Sequence, residues 1–257
     1  MRLNERKSVC AGSWYPADKE ELRMTIDELL AEYKSADIHP KAIIVPHAGY
    51  FYSGKTAAAA FSRISPSVKK IILLGTSHHY YLRGGCVLNY KVLLTPLGEV
   101  KVSNEMENFI REPDMSFVPE ADKYEHSIEI ELPFLQRVLK DFEVIPVIVG
   151  EINPISFSET LDKYSDDNTL IVVSVDLSHF HTQQEANKLD KFTIDTVLNL
   201  RTSDVKKCEI DSPYAVAALI ELAKKRKWKP SLLDYRTSAD VTRDTLRVVG
   251  YSAIAFN

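Results

Sequence analysis

Six of the seven histidines in this 257-residue chain fall in short polar segments: His47 in PHAGY, His78 and His79 in GTSHH, His126 in EHSIE, and His179 and His181 in DLSHFH, leaving only His39 outside. Imidazole is the commonest neutral metal donor and a usual general base. A single histidine is most often a hydrogen-bonded structural residue, but this joint placement points to a site. Asp176 stands three residues before His179. Glu125 and Glu129 flank His126, where Ser127 with carboxylates nearby also reads as an ordinary helix start. Cys208, in KKCEIDSPYAV, lies just before a helix whose Ser212-Pro213 reads as an N-cap followed by proline at the first helical position. A thiol near a helix N-terminus ionises more easily, and the thiolate binds metal or attacks; the other reading of Cys208 is a small hydrophobe. Tyr50, Phe51, Tyr52, Tyr80 and Tyr81 follow the first two histidine segments and read either as aromatic walls for a flat or apolar ligand or as packing at a sheet edge.

These residues need elements to hold them. AIIVP (42–46), KKIILLG (69–75), FEVIPVIVG (142–150) and TLIVVSVDLS (169–178) are short apolar runs of the kind buried on both faces of a parallel sheet. Helical patterns alternate with them: GKTAAAAFSRI, HSIEIELPFLQRVLKD (126–141), QQEANKLDKFTIDTVLNL and SPYAVAALIELAKKRK (212–227). An earlier helix, KEELRMTIDELLAEYKSA (19–36), carries Leu22, Ile26, Leu29 and Leu30 on one stripe. GGCVLNYKVLLTPLGEVKV reads as hairpin-forming extended segments, a polar helix is expected near 103–111, and SLLDYRTS and LRVVGYSAIAFN close the chain as extended segments. The pattern predicts an α/β fold: a single three-layer domain over 1–257, with a largely parallel central sheet flanked by helices. In such sheets ligands sit beyond the carboxyl ends of the strands. His47, His78 and the Asp176–His181 segment would all emerge there, with one ring of the His78-His79 pair turned into the crevice.

A formal charge of -4 and a pI near 6.0 give no long-range pull toward nucleic acid or anionic lipid, and KKRKWK (224–229) reads as a solvated helix end. No apolar stretch approaches the roughly 20 residues that span a bilayer, and MRLNERKSVCAGSWYP lacks the apolar core of a secretory signal, so a cytoplasmic location is expected. Cys10, Cys86 and Cys208 are too few and too scattered for a disulfide framework and are expected as thiols. G-x-G-x-x-G, G-x-S-x-G and H-E-x-x-H are all absent, which removes the main support for serine acyl transfer and zincin proteolysis.

The segments AGSWYP, IIVPHAGYFYSG, GTSHH, EHSIEIELPFLQ, IPVIVG and VVSVDLSHF, followed by a cysteine before an apolar helix, resemble in that order the Memo family. That family's fold is similar to the class III extradiol dioxygenases, non-haem iron enzymes that open catechol rings with O2. The resemblance implies metal ligation by His47 and His78, with His79 as the fallback for His78. It also implies Cys208 as third ligand, where the dioxygenases have glutamate, and His179 as acid/base. Asp176 would ligate or orient, and His126 with Asp176 would hold a ligand in place. Thiolate preserves the charge of the lost carboxylate but tilts metal preference toward Cu(I), zinc or thiolate-bound iron, so iron or copper is favoured, with zinc as the further choice. Cys10 stands where relatives often carry histidine and is read as peripheral. Radical-SAM and AMMECR-type proteins are the partners the resemblance implies. The expectation is a mononuclear metal-binding protein, redox or metal-dependent in its chemistry. Two other readings are a non-catalytic module that binds a peptide or protein through the aromatic crevice, with Tyr52 at its centre, and a Cys-His hydrolase with Cys208 as nucleophile and His179 as base.

Overall fold

The structure, a computed structural model, describes residues 2–33 and 39–257. In chain order its strands are β1 (Leu3–Arg6), β2 (Ala42–Val45), β3 (Lys70–Thr76), β4 (Gly85–Val87), β5 (Tyr90–Thr95), β6 (Gly98–Val102), β7 (Met115–Ser116), β8 (Glu143–Val149), β9 (Thr169–Ser174), β10 (His179–His181), β11 (Pro230–Thr237) and β12 (Val248–Phe256). The helices are α1 (Lys19–Ala31), α2 (Tyr50–Phe61), α3 (Met106–Phe109), α4 (Pro119–Asp122), α5 (Leu132–Val138), α6 (Pro154–Tyr164), α7 (Gln183–Leu198), α8 (Pro213–Arg226) and α9 (Ala239–Thr242). The strands join in one mixed sheet with the order β1-β5-β6-β8-β3-β9-β2-β12-β10, and β11 and β4 pair beside β12 and β8.

The middle of the sheet is the parallel run β8-β3-β9-β2. Every residue of β2, β3 and β9 is buried, as their unbroken Ile, Leu and Val content requires when helices cover the sheet. Helices α1, α2 and α5 pack on one another, and α2 lies on β12; α8 lies on β3 and β9 beside α6. The result is the expected α/β architecture, a largely parallel sheet flanked by helices. Antiparallel pairing enters at the margins, in the β5–β6 hairpin and where β12 joins β2. Leu22 and Ile26 of the α1 stripe are fully buried, and Leu29 and Leu30 pack against the same core. Residues 34–36 of the predicted first helix lie outside the described residues.

Three local readings differ from expectation. The helix expected over 126–141 is a 3-10 turn at Glu129–Glu131 followed by α5, because residues 125–128 bond to the end of β3 instead of coiling. The polar helix near 103–111 is the single turn α3. Helix α6 is an addition: Asn153 accepts hydrogen bonds from the backbone of Ile155 and Ser156, and Pro154 starts the helix where its missing N–H costs nothing. Among the described residues no helix is long and apolar enough to cross a membrane, and all three cysteines are free thiols.

Candidate metal centre

Because β2, β9 and β3 run parallel and adjacent, their carboxyl ends open on one edge. Val45 pairs with Ser174, and the Val175 N–H donates to Val45 O at 2.8 Å, so His47 and Asp176 emerge level with each other. The His47 N–H then donates to Asp176 Oδ1 at 2.8 Å. Two glycines allow the neighbouring segments to close in. At Gly49 a Cβ would crowd Trp14 O, which accepts the Tyr50 N–H at 2.9 Å and so caps the start of α2. At Gly75 a Cβ would overlap Ser127 Oγ, which instead bonds Thr76 N and Thr76 O, each at 3.1 Å. This docking carries Glu125 and His126 of EHSIE up to His78.

Each metal-capable ring is oriented from behind. His47 Nδ1 lies 2.9 Å from Ser174 Oγ, which donates to Glu131 Oε1 at 2.8 Å. The tautomer that completes this chain carries its proton on Nδ1 and leaves Nε2 free. His78 Nδ1 donates to Glu125 Oε1 at 3.0 Å, and the same carboxylate accepts the backbone N–H groups of His78, His126 and Ser127. Both Nε2 atoms therefore turn inward, to 2.9 Å (His47) and 3.6 Å (His78) from one oxygen, Asp211 Oδ2. The closer approach lacks the alignment of a hydrogen bond: His47 Nε2 and Asp211 Oδ1 are buried polar atoms without a hydrogen-bond partner. His126 stacks on His78 at 4.3 Å and 20° and meets His47 edge-on at 5.4 Å. Donor atoms of His47, His78 and His126 lie within 4.8 Å of one another, as do those of His47, Asp176 and Asp211.

The electrostatics suit a cation. Burial disfavours a charged His47, but Asp211 and Asp176 outweigh it and lift its pKa to about 10. Burial likewise opposes charge on His78, yet Asp211 and Glu125 raise it to about 9. His126 goes the other way, pushed down to about 3 by burial and by His47, so it is a neutral ring. Burial raises Asp176 and lifts Glu131 to about 8, while Asp211, although buried, is held well below the usual carboxylate range by His47 and His78. Without a metal the carboxylates keep protons on the two imidazoles; a metal ion competes for the same lone pairs.

The residues singled out in the sequence divide into those at this point and those beside it. His47, His78, His126 and Asp176 come together, and it is His78, not its exposed neighbour His79, that joins the groups. Cys208, expected as third donor, joins neither group. It ends the 3-10 turn Thr202–Lys207 with Sγ 3.6 Å from Asp204 O, and burial raises its pKa, so the thiol stays protonated. Three residues on, Asp211 stands where the thiolate was expected, fixed by Thr76 Oγ1, which donates to Asp211 O at 2.6 Å. His179 is half-buried, and its N–H donates to Glu209 Oε1 at 3.2 Å. His181 is held by Glu209, 2.7 Å from its Nε2, and by Glu185. Cys10 is buried, its pKa pushed up to about 12, and its N–H donates to Glu129. Sequence reasoning passed over Asp211, Ser174 and Glu131. The one available signal was Asp211, an acidic residue just ahead of the Ser212-Pro213 helix start.

The chain matches the family model of Memo-like proteins over residues 6–255. It is 34% identical over 267 aligned residues to a MEMO1 family protein of Aquifex aeolicus, covering 99% of this chain and 100% of that one. A MEMO1 family protein of Archaeoglobus fulgidus is 33% identical, covering 96% of this chain and 97% of the relative. One of Methanococcoides burtonii is 32% identical, covering 97% and 98%. With the match running from β1 into β12 and through every segment that builds the centre, the chain belongs to the Memo family.

Proposed function

We propose that this protein is a mononuclear metal-binding protein in which His47, His78 and Asp211 hold the metal, and that it acts as a metal-dependent enzyme. One observation carries the reading: two inward-turned imidazole Nε2 atoms converge on one carboxylate, with His47 Nε2 and Asp211 Oδ1 buried and unpartnered. Such atoms are costly to bury unless something completes them. Two imidazoles and one carboxylate form the donor set of non-haem Fe(II) centres, harder than the thiolate set, so iron is favoured over Cu(I). When bound, such a metal supplies Lewis acidity to a substrate oxygen and a place for O2 or water.

The chain's own groups do the rest. Glu125 and the Ser174–Glu131 pair fix the tautomers of His78 and His47. Asp176 anchors the His47 backbone, neutral His126 forms a wall, and His179 moves a proton to or from the ligand. The test is elemental analysis of protein purified without a metal-binding tag. About one metal per chain is expected in wild type and in Cys208→Ala, with near-zero content in His47→Ala and Asp211→Ala. Metal retained by Asp211→Ala but lost from Cys208→Ala would restore the thiol as third donor. Near-zero content in every sample would overturn the reading.

A further inference from the structure

Among the described residues, five non-glycine residues adopt positive φ: Asp114, Phe180, Leu200, Lys227 and Arg243. Lys227 and Arg243 end helices α8 and α9, and Leu200 follows the end of α7, where a left-handed residue commonly closes a helix. Asp114 is a residue type that tolerates this region. Phe180 has neither excuse. It is bulky, sits in the middle of β10 at φ 63, and is 62% exposed, so burial does not compensate its strain.

The strain has a visible product. Consecutive side chains of an extended strand point to opposite faces. Here the β10–β12 register slips between His179 and His181, opposite Val249 and Val248, and Phe180 is the bulged residue. Its ring is folded back beside His179, 5.7 Å between centroids and edge-to-face at 66°. The exposed Arg247 guanidinium lies over the same phenyl ring at 5.1 Å. The nearby carboxylate of Glu209 is engaged by the His179 N–H and the His181 ring. A flat apolar surface and a planar cation thus stand together beside the His179 ring.

We propose that Phe180 and Arg247 are specificity-determining residues that take a planar aromatic ligand bearing an anionic substituent: the ring packs against Phe180, and the anion pairs with the Arg247 fork alongside His179. This rests on the reading of the neighbouring crevice as the site such a ligand enters, but not on which metal is held there.

The test uses the full, metal-free chain with benzoate as probe, followed by ligand-observed NMR or calorimetry, with cyclohexanecarboxylate (anion without a flat ring) and benzyl alcohol (ring without an anion) as comparators. Benzoate should bind wild type at least about tenfold more tightly than either comparator, and lose about tenfold in Phe180→Leu, Phe180→Gly and Arg247→Gln. Phe180→Gly should keep or raise Tm, since glycine relieves the backbone, and should take up metal as wild type does. No benzoate binding to wild type, equal binding of the comparators, or undiminished binding by the variants would overturn the proposal. So would a Phe180→Gly Tm lower by more than about 4 °C, which would make the ring a structural prop. Benzoate bound by a wild type that takes up no metal would sustain this proposal while sinking the metal reading alone.

Discussion

Two clusters of buried charge meet on the EHSIE segment, and they differ in whether their bonds are complete. In the first, Arg6 donates to Asp122 Oδ1 at 2.6 Å, to Glu129 Oε2 at 2.9 Å and to Glu125 O at 2.5 Å. Glu129 also accepts the N–H groups of Val9 and Cys10 and the Tyr15 hydroxyl, at 2.7, 2.8 and 2.6 Å. Its oxygens are saturated, and the cluster straps the AGSWYP segment to the body, with Trp14 resting 4.2 Å from the His126 ring. In the second cluster, around His47, His78 and Asp211, the outward-facing atoms are just as well tied, but His47 Nε2 and Asp211 Oδ1 are left over. Buried charge alone therefore does not mark function. What separates site from scaffold is unfilled bonding capacity aimed at one point.

Removing one member of each cluster should break the comparison if it is wrong. Glu129→Ala leaves the Arg6 guanidinium buried beside a vacancy, and a loss of about 3–5 kcal/mol in denaturant unfolding is expected. A loss under about 1 kcal/mol would show that the strap is not held by these bonds. Asp211→Asn should differ in what it abolishes: metal affinity falls by more than about 100-fold, beyond the range for outer partners, and the metal-free protein also loses stability near neutrality, because His47 and His78 lose the carboxylate that holds their protons. Metal affinity within about tenfold of wild type in Asp211→Asn would place both clusters in the scaffold class.

Ser174→Ala sharpens the contrast, because it cuts the chain from His47 to Glu131 without touching an inward atom. A 10- to 100-fold weaker metal affinity, read by competition with a chelator, is expected, with unchanged stoichiometry. The smallest effect concerns Cys208. Burial raises its pKa above the ordinary 9.0, so less thiolate is present near neutrality than in an unfolded thiol. Iodoacetamide should label it a few-fold more slowly at pH 7 in native than in denatured protein, with the rate climbing above pH 9. Rapid stoichiometric labelling at pH 7 would instead revive the nucleophile reading.

The strands that hold the centre were plain in the sequence because burial on both faces demands continuous Ile, Leu and Val, and β2, β3 and β9 supply it. That also made the shared edge legible, and with it the meeting of His47, His78 and Asp176. Helix α6 was obscured because serines at 156 and 158 interrupt a face on which only Phe157 and Leu161 are large and wholly apolar. That Asp211, rather than Cys208, approaches His47 and His78 was hidden for a different reason. Cys208 and Asp211 are three residues apart in an irregular link between a 3-10 turn and α8, where no periodicity tells which side chain faces the crevice. What places Asp211 is long-range: Thr76 Oγ1 donates to its carbonyl, and the Asp176 N–H donates to its Oδ2 at 3.4 Å. Ser174 and Glu131 were invisible on similar grounds, one being the last residue of a buried strand and the other part of a short turn.

The side-by-side pairing of β2, β9 and β3 has a bearing on how the molecule matures. His47 and the carboxylate that accepts its N–H are 129 residues apart, so no early hairpin or lone helix assembles even half of the pocket. On the proposed metal reading, cation capture would come last, a checkpoint that only a finished sheet can pass, and an ion held there would stabilise the completed form in proportion to its own affinity.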